Sequence, residues 1–415
     1  MIVDIINKKR LGKELSYKEL EWFFNKYLEG EIADYQMSSL LMAICINGMT
    51  DEEVFALTKI FIDSGDVLDF SDIPGIKVDK HSTGGIGDKT TLVICPIVAS
   101  LGIPIIKMSG KGLGYTGGTI DKLKSIPGFQ TTLSEKQFIK QIHEIGIAIT
   151  SQNANLAPMD KVIYALRDVT GTVESIPLVA SSVMSKKIAG GADKILIDIK
   201  VGKGAFMKNR ESAKKLSDLM IKIGEVYHRE VRCIISDMDV PLGTCIGNSL
   251  EVMEAIDVLK GKEQNNNFVD LCIELATEMV SMGKEISIEE AKKMVIDSID
   301  SGLAYKKFLE LVHYQNGKIT DLKASEHVIE INSLKSGTIK KIDALEIGKL
   351  ALKLGSGREN KNDRINYTVG IKLNKLVNDK VKTGDVLMTL YTSSVIPDVN
   401  INNIFTFEEK NVWFY

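Results

Sequence analysis

Residues 78–91 decide the fold, and they read VDKHSTGGIGDKTT. The β-prone start of this stretch leads into a turn with three glycines, and an apolar, helix-like run follows at 92–101. Glycine lets backbone N–H groups approach an anion closely, and the next helix adds the positive end of its dipole. Hydroxyls and two lysines add further donors and positive charge. The stretch therefore predicts a phosphate-binding loop between a strand and a helix.

A second stretch repeats this chemistry: residues 107–121 read KMSGKGLGYTGGTID and follow a strand-like run at 103–106. Both polar loops then leave the carboxyl ends of strands, where open α/β sheets bind ligands. Residues 77–124 carry seven lysines and three aspartates, a formal charge of +4 in a chain whose net charge is -3. A lone glycine-rich turn is more often a simple connection than a binding site. Two such loops with a local positive charge favour an anionic ligand, and we predict phosphate.

Composition excludes several classes of protein. A chain of 415 residues suggests two or three domains, and its net charge of -3 lacks the basic footprint of a nucleic-acid-binding protein. The longest apolar runs fall short of the roughly 18 residues that a membrane span needs. The five cysteines are scattered without paired spacing, which is typical of reduced thiols. We therefore expect a cytoplasmic enzyme or binding protein without nucleic-acid or membrane partners.

The periodicity of the chain predicts an α/β fold with three parts. The first 65 residues have helical spacing, with capping-box patterns at Ser16 and Thr50. From residue 76 onward, short apolar runs alternate with helical ones, which indicates βαβ units and a mixed sheet. The predicted domains are a discontinuous helical domain, a large α/β phosphate-binding domain facing it across a cleft, and a small C-terminal α+β domain, at 1–65 with 155–190, 70–154 with 191–327, and 328–415. A cleft between domains is a usual place for a small ligand.

A second polar cluster is predicted from Arg167, Ser182 and Lys186. Ser182 and Lys186 are four residues apart, so a helix would place both on one face. A planar guanidinium, a hydroxyl and an ammonium suit a flat heterocycle that becomes an anion when it leaves. On spacing alone, an arginine–aspartate ion pair and a lysine meeting a helix dipole are the commoner explanations.

Several motifs, taken in order, resemble those of the pyrimidine nucleoside phosphorylase and thymidine phosphorylase family. They are KHSTGGIGD at 80–88, SGKGLGYTGGTIDKL at 109–123, LAPMDK at 156–161, Arg167-Asp168, GKGAFM at 202–207, GSGR at 355–358 and Gly384-Asp385. The resemblance covers nearly the whole chain. It implies a pentosyltransferase that performs the reversible phosphorolysis of uridine, thymidine and deoxyuridine to free base and (deoxy)ribose 1-phosphate. It also implies inorganic phosphate as co-substrate, no organic cofactor, and a cytoplasmic homodimer joined through the helical domain.

The resemblance assigns roles to individual residues. The phosphate contacts it implies are Lys80, Ser82, Thr91, Ser109 and Thr119. The base and sugar contacts are Arg167, Ser182, Lys186, Lys107 and Phe206, and the catalytic residues are His81, Arg167 and Lys186. Thymidine-selective relatives resemble one another in having methionine at the position of Lys107. Lysine there favours an enzyme that accepts both uridine and thymidine. The alternatives are a thymidine-selective phosphorylase, an anthranilate-type phosphoribosyltransferase, and a non-catalytic nucleotide-sensing protein that keeps the fold.

The resemblance also implies a structural K⁺ or Ca²⁺. The matching ligand positions are Gly87, Lys89, Leu242, Cys245 and Glu254, all acting through backbone carbonyls except Glu254. Four residues depart from the family's usual pattern, and they are Lys89, Lys111, Tyr115 and Lys124. Lys111 keeps the charge of the usual arginine but lacks its planar fork.

Overall fold

The computed structural model of the protein describes residues 1–112, 114–115, 117–152, 155–262, 266–360, 363–393 and 398–408. Leu113 and Thr116 of the predicted second loop lie outside the described residues.

Helices occur along the whole described chain. They are α1 Ile2–Arg10, α2 Tyr17–Leu28, α3 Asp34–Asn47, α4 Asp51–Asp63, α5 Thr90–Ser100, α6 Thr119–Lys124, α7 Glu135–Ile145, α8 Pro158–Arg167, α9 Ile176–Ala189, α10 Arg210–Val226, α11 Asn248–Leu259, α12 Asn267–Lys284, α13 Ile288–Asp300, α14 Leu303–Tyr314, α15 Ala344–Lys353 and α16 Ile401–Ile404, with a 3₁₀ turn at Ile319–Asp321. None of the helices in these described ranges is both long and apolar enough to cross a membrane.

Strands begin after the first four helices. They are β1 Val78–Ser82, β2 Ile105–Ser109, β3 Ile147–Ser151, β4 Lys194–Val201, β5 Glu230–Asp237, β6 Cys245–Ile246, β7 His327–Asn332, β8 Gly337–Ile342, β9 Gly370–Leu373, β10 Lys380–Val381, β11 Val386–Thr392 and β12 Phe405–Phe407. β3, β4 and β5 form on the short apolar runs at 147–149, 195–199 and 231–235, and each strand is longer than its apolar run.

The chain divides into two compact units. The first comprises Met1–His81, Gln152–Ile199 and Asn209–Ile235. Its helical core is built around Phe23 and Phe24 of α2 and Phe61 of α4. All three side chains are almost completely buried. The first unit also contains most of a three-stranded sheet with the order β1-β4-β5.

The helices of the first unit begin where local sequence signals predict. Ser16 accepts a hydrogen bond from the Glu19 N–H, and the Glu19 side chain accepts one from the Ser16 N–H. Thr50 and Glu53 form the same reciprocal pair at the start of α4. Each pair satisfies two backbone donors that would otherwise lack a partner at the helix start.

The second unit comprises Ser82–Ser151, Lys200–Lys208 and Ser236–Tyr415. In it β2 and β3 pair in parallel, with Ile105 opposite Ile147. Almost every residue of α5 is buried, because this helix packs against α12 and α14. Two further sheets have the orders β6-β9-β11-β7 and β10-β8-β12, and their described pairings are antiparallel. The boundaries of the three predicted domains stay a prediction.

Candidate active site

The first predicted phosphate loop is organised by Asp88, a residue to which the sequence assigned no role. The Ser82 hydroxyl donates to Asp88 Oδ2 at 2.5 Å, and the Thr90 hydroxyl donates to Asp88 Oδ1 at 2.7 Å. Ser82 Oγ in turn accepts from the Gly84 N–H at 3.1 Å. Gly84 and Gly87 have φ values of 89° and 73°, which L side chains rarely adopt. One carboxylate thus joins the end of β1 to the start of α5.

Strand β1 carries the predicted phosphate lysine. Lys80 and Ser82 are two residues apart, so they share one face of the strand, and His81 lies on the other. Lys80 is only 1% exposed, and its Nζ lies 3.4 Å from Oδ2 of Asp198 on β4. A buried lysine needs such a partner, since an uncompensated charge is costly to bury. Thr91, also predicted to contact phosphate, lies buried in the first turn of α5.

The second predicted phosphate loop is tightly folded between β2 and α6. Ser109 is the last residue of β2, and Thr119 is the first of α6. A Cβ on Gly118 would lie only 2.1 Å from the Gly112 backbone nitrogen, so only glycine fits there. Asp121 Oδ2 accepts the Gly112 N–H at 2.7 Å. The two ends of the loop are therefore held against each other.

Arg358, from the late GSGR motif, docks this second loop. Its guanidinium donates to both carboxylate oxygens of Asp121, at 2.9 and 2.7 Å, and to the Gly112 carbonyl at 3.1 Å. The Gly114 N–H donates to the Arg358 carbonyl at 2.8 Å. The hydrogen bond to Asp121 raises the pKa of Arg358. Arg358 thus docks the second loop through a planar, two-pronged contact with Asp121.

The two loops border the same cavity of the second unit. Gly87 of the first loop and Gly117 of the second both line it, together with Gly247 and Glu251. Glu251 Oε1 accepts the Gly247 N–H at 3.1 Å, and its Oε2 lies 3.4 Å from the Lys122 ammonium. Residues of both predicted phosphate loops therefore lie at one cavity of the second unit.

The second polar cluster forms between α8 and α9 in the first unit. The Lys186 ammonium lies 2.7 Å from Asp160 Oδ2 and donates to the Ser182 hydroxyl at 3.2 Å. The aromatic ring of Tyr164 lies 5.7 Å from Lys186 Nζ and 5.8 Å from the Arg167 guanidinium carbon. Burial raises the pKa of Tyr164, so its phenol stays neutral. Ser182 and Lys186 therefore lie on one face of α9, as their spacing predicts.

Arg167 is held differently from what the sequence suggests. Its guanidinium is buried and donates to the main-chain carbonyls of Thr172, Val173 and Leu178, at 3.2, 2.8 and 3.2 Å. Burial lowers the pKa of Arg167, and the charge of Asp160 opposes that shift. Arg167 thus supports the turn between α8 and α9, and its predicted contact with the base stays a prediction.

The two remaining predicted sugar and base contacts belong to the second unit. Lys107 lies buried in β2, and its ammonium donates to the Met108 carbonyl at 3.2 Å. Phe206 is 41% exposed in the segment that follows β4, where the Gly202 N–H donates to the Met207 carbonyl at 3.0 Å. An exposed phenylalanine in such a turn is available to contact a ligand.

The five residues predicted to surround a metal ion lie together, but a side chain occupies their centre. Lys89 Nζ donates to the carbonyls of Leu242 and Cys245, at 2.7 and 3.0 Å, and lies 2.5 Å from Glu254 Oε2. The sequence assigned only the backbone carbonyl of Lys89 to this site. Burial acts to lower the pKa of Lys89, but the charges of Glu254 and Glu251 raise it above its usual value. This donor set therefore does not fit an added cation.

Three acidic residues of the candidate site were not predicted from the sequence. Asp88 organises the first loop, Asp160 positions Lys186, and Asp198 pairs with Lys80. Each is an acidic residue beside a predicted cationic or hydroxyl contact. Asp88 and Asp160 both lie within the quoted motifs, which was the available signal.

Family models match three successive parts of the chain. The helical bundle domain of the glycosyl transferase family matches residues 3–65, and the a/b domain of the same family matches residues 75–305. The pyrimidine nucleoside phosphorylase C-terminal domain matches residues 338–405. The predicted fold class, a helical domain with a large α/β domain and a small C-terminal domain, is confirmed.

Curated relatives match almost the full length. A pyrimidine-nucleoside phosphorylase of Staphylococcus haemolyticus is 50% identical over 399 residues, which cover 94% of this chain and 92% of that protein. One of Staphylococcus epidermidis is 49% identical over 419 residues, covering 99% of this chain and 96% of that protein.

The fold alone is shared with a solved anthranilate phosphoribosyltransferase from Thermus thermophilus, with a TM-score of 0.58 and 16% identity over 75% of this chain and 99% of that one. The near-full-length identity to the two staphylococcal proteins, together with the three successive domain matches, shows that the chain belongs to the pyrimidine-nucleoside phosphorylase family.

Proposed function

We propose that the protein is a pyrimidine-nucleoside phosphorylase acting on uridine, thymidine and deoxyuridine. The products are the free pyrimidine base and ribose or deoxyribose 1-phosphate, and the reaction is reversible. The observation that carries this proposal is the identity of about half of all residues to relatives of that name over nearly the whole chain. The cationic cluster of Lys186 and Arg167 around Tyr164 supplies chemistry that fits it.

The reaction has a simple bond balance. A phosphate oxygen forms a bond to C1′ of the sugar while the bond from C1′ to the base nitrogen breaks, and its electron pair goes to the base. The sugar gains oxocarbenium character and the base gains negative charge. Groups that bind this developing charge more strongly than the neutral nucleoside accelerate the reaction. Phosphate itself is the nucleophile, so no covalent enzyme intermediate is needed.

Lys186, Arg167 and His81 are the proposed catalytic residues. Asp160 and Ser182 orient the Lys186 ammonium, which then stabilises negative charge on a pyrimidine oxygen. Arg167 contributes positive charge from its buried position beside Tyr164. His81 donates a hydrogen bond or a proton to a base oxygen, because imidazole titrates near neutral pH.

Lys80, Ser82, Thr91, Ser109 and Thr119 are the proposed phosphate contacts. The shared face of Lys80 and Ser82 on β1 supports this assignment. A serine hydroxyl has one proton, and that of Ser82 is donated to Asp88. Direct donation from Ser82 to phosphate therefore requires its hydroxyl to turn away from Asp88. The Ser82 oxygen remains bonded to the Gly84 N–H and keeps the loop closed.

The proposal also covers the range of nucleosides accepted, the oligomeric state and the cellular location of the protein. Lys107 near the sugar would tolerate a 2′-hydroxyl, which favours the broad enzyme over a thymidine-selective one. Tyr35, Met42 and Ile46 are exposed on α3 at spacings of seven and four residues, so they form one apolar stripe. This stripe supports a homodimer joined through the helical domain, and we place the protein in the cytoplasm. Sedimentation equilibrium is expected to give twice the mass of one chain, and a single-chain mass contradicts the dimer.

A substrate panel tests the activity. With inorganic phosphate, purified protein is expected to release uracil from uridine and thymine from thymidine, measured by separating the free bases. Cytidine serves as the comparison for base selectivity. In a parallel reaction the protein receives anthranilate and phosphoribosyl pyrophosphate with magnesium, because the solved structure that shares its fold is a phosphoribosyltransferase. Turnover only in that second reaction would overturn the proposal.

A further inference from the structure

The loop between β1 and α5 contains a lysine with an unusual environment. The Lys89 side chain is completely buried, and it points toward the segment that runs from Leu242 to Cys245 and toward Glu254 on α11. We propose that the Lys89 ammonium is a covalently attached replacement for a structural metal ion, so that this protein requires neither K⁺ nor Ca²⁺ at this position.

The contacts of Lys89 match those expected for a small bound cation. An ammonium group has three N–H donors, and three oxygens receive them: the Leu242 carbonyl at 2.7 Å, the Cys245 carbonyl at 3.0 Å and Glu254 Oε2 at 2.5 Å. The ring of Phe268 lies 4.6 Å from Nζ and faces the positive charge. The donors of Lys89 are therefore fully used, and two of its three oxygen partners are main-chain carbonyls.

Glu254 is built into the protein to receive this charge. Its Oε1 accepts the Thr244 N–H at 2.7 Å and the Thr244 hydroxyl at 2.9 Å, and its Oε2 accepts the Cys245 N–H at 2.9 Å. A Cβ on Gly243 would lie 2.5 Å from Glu254 Oε1, so the backbone packs closely over the carboxylate. Glu254 cannot leave Lys89 without breaking three other hydrogen bonds.

A metal ion is excluded from this position by charge and by space. An ion bound to the same oxygens would lie next to the Lys89 ammonium, and like charges in a buried site repel strongly. Glu254 supplies one negative charge, which Lys89 already balances. The nearby carboxylate of Glu251 forms an ion pair with another lysine, since Lys122 Nζ lies 3.4 Å from Glu251 Oε2.

The ammonium joins a predicted phosphate loop to a distant part of the same unit. Lys89 directly precedes Thr90 and Thr91, the first residues of α5. A Cβ on Gly87 would lie 2.6 Å from the Leu242 carbonyl, so the loop lies directly against this segment. A tethered lysine makes this link permanent, whereas a bound ion would make it depend on ion concentration.

The unmodified protein gives the first test. Samples are dialysed into choline chloride with a calcium chelator, and their melting temperature is compared with that in KCl or CaCl₂ at equal ionic strength. Equal melting temperatures are expected in all three solutions. A higher melting temperature in K⁺ or Ca²⁺ than in choline, accompanied by saturable heat of binding in calorimetry, would overturn the proposal. The melting temperature is measured without substrate, so this result is separate from the proposed function.

Two substitutions at Lys89 sharpen the test. Lys89→Ser opens space beside Glu254, and we expect its melting temperature in choline to fall by roughly 6 °C or more. Added K⁺ or Ca²⁺ should restore part of that loss in Lys89→Ser. Lys89→Met removes the charge but fills the space, so its loss should not be restored.

A matched control uses another buried lysine. Lys9 also pairs with a buried carboxylate, since its Nζ lies 2.7 Å from Glu53 Oε2 and its ammonium donates to both oxygens of Glu53. Lys9→Ser should lose melting temperature without recovery in K⁺ or Ca²⁺. Recovery of Lys89→Met or Lys9→Ser equal to that of Lys89→Ser would contradict a specific replacement. If Lys89→Ser does not fold, the comparison of the unmodified protein in choline, K⁺ and Ca²⁺ decides the question.

Discussion

Replacing Lys186 with alanine is expected to lower kcat for the phosphorolysis of uridine by about 10²-fold or more. Removing one preorganised donor to a developing negative charge typically has an effect of that size. The loss should appear in kcat, because the charge on the base develops mainly in the transition state. Steady-state kinetics with uridine and phosphate measure it.

Loss of stability must be separated from loss of catalysis in this variant. Asp160 is almost fully buried, so Lys186→Ala leaves its charge without the lysine partner. The double variant Asp160→Asn with Lys186→Ala removes that charge as well. We expect the double variant to regain most of the melting temperature while kcat stays low.

A surface lysine is the matched control. Lys161→Ala changes an exposed lysine of the same helix as Asp160, and it should leave both kcat and melting temperature unchanged. If kcat recovers together with the melting temperature in the double variant, Lys186 has a structural role only, and its assignment to the base is wrong.

Replacing Lys80 with alanine is expected to raise KM for phosphate strongly and to lower kcat/KM for phosphate by about 10²-fold or more. Lys80 is buried and lies two residues before Ser82, on the same face of β1. Initial rates measured against phosphate concentration, at saturating uridine, give both constants.

The matched control for Lys80 is Lys9, which is equally well buried and paired with Glu53 in the same unit. Both Lys80→Ala and Lys9→Ala leave a buried carboxylate without its lysine, so both should lose stability. Only Lys80→Ala should change KM for phosphate. Equal KM values in the two variants would remove Lys80 from the phosphate site.

Much of the fold could be predicted because its signals are local. The Ser134–Gln137 capping box starts α7, and Gly146 ends it in the left-handed conformation, so the helix bounds follow from a few adjacent residues. The apolar run at 195–199 likewise indicates β4, which extends further at both ends. Alternating short and long apolar periods also indicated the α/β class.

The contacts that complete the site could not be predicted, because they join residues far apart in sequence. Arg358 and Asp121 are separated by 237 positions, and no local pattern links them. Lys89 and Glu254 were predicted to lie together as ligands of one metal ion, Lys89 through its backbone carbonyl and Glu254 through its carboxylate. A three-dimensional structure was needed to show that the Lys89 side chain turns inward to Glu254.

Arg167 shows a different limit. Its residue type and motif predict a planar fork for a heterocycle, and spacing alone favoured an ion pair with Asp168 as the simpler explanation. In the structure its three nitrogens instead donate to main-chain carbonyls. Thr172 and Val173 lie in the turn before α9, and Leu178 lies in the first turn of α9. Sequence reveals that a guanidinium is present, whereas its partners depend on how that turn folds back.

The central claim is that phosphate is the nucleophile that cleaves the bond between a pyrimidine and its sugar. The most direct measurement is phosphorus NMR of a reaction with uridine, run alongside base analysis, in the presence and absence of inorganic phosphate. We expect ribose 1-phosphate and uracil to appear in equal amounts and only when phosphate is present. Uracil released without phosphate, or released with phosphate but without a sugar phosphate signal, would contradict the claim.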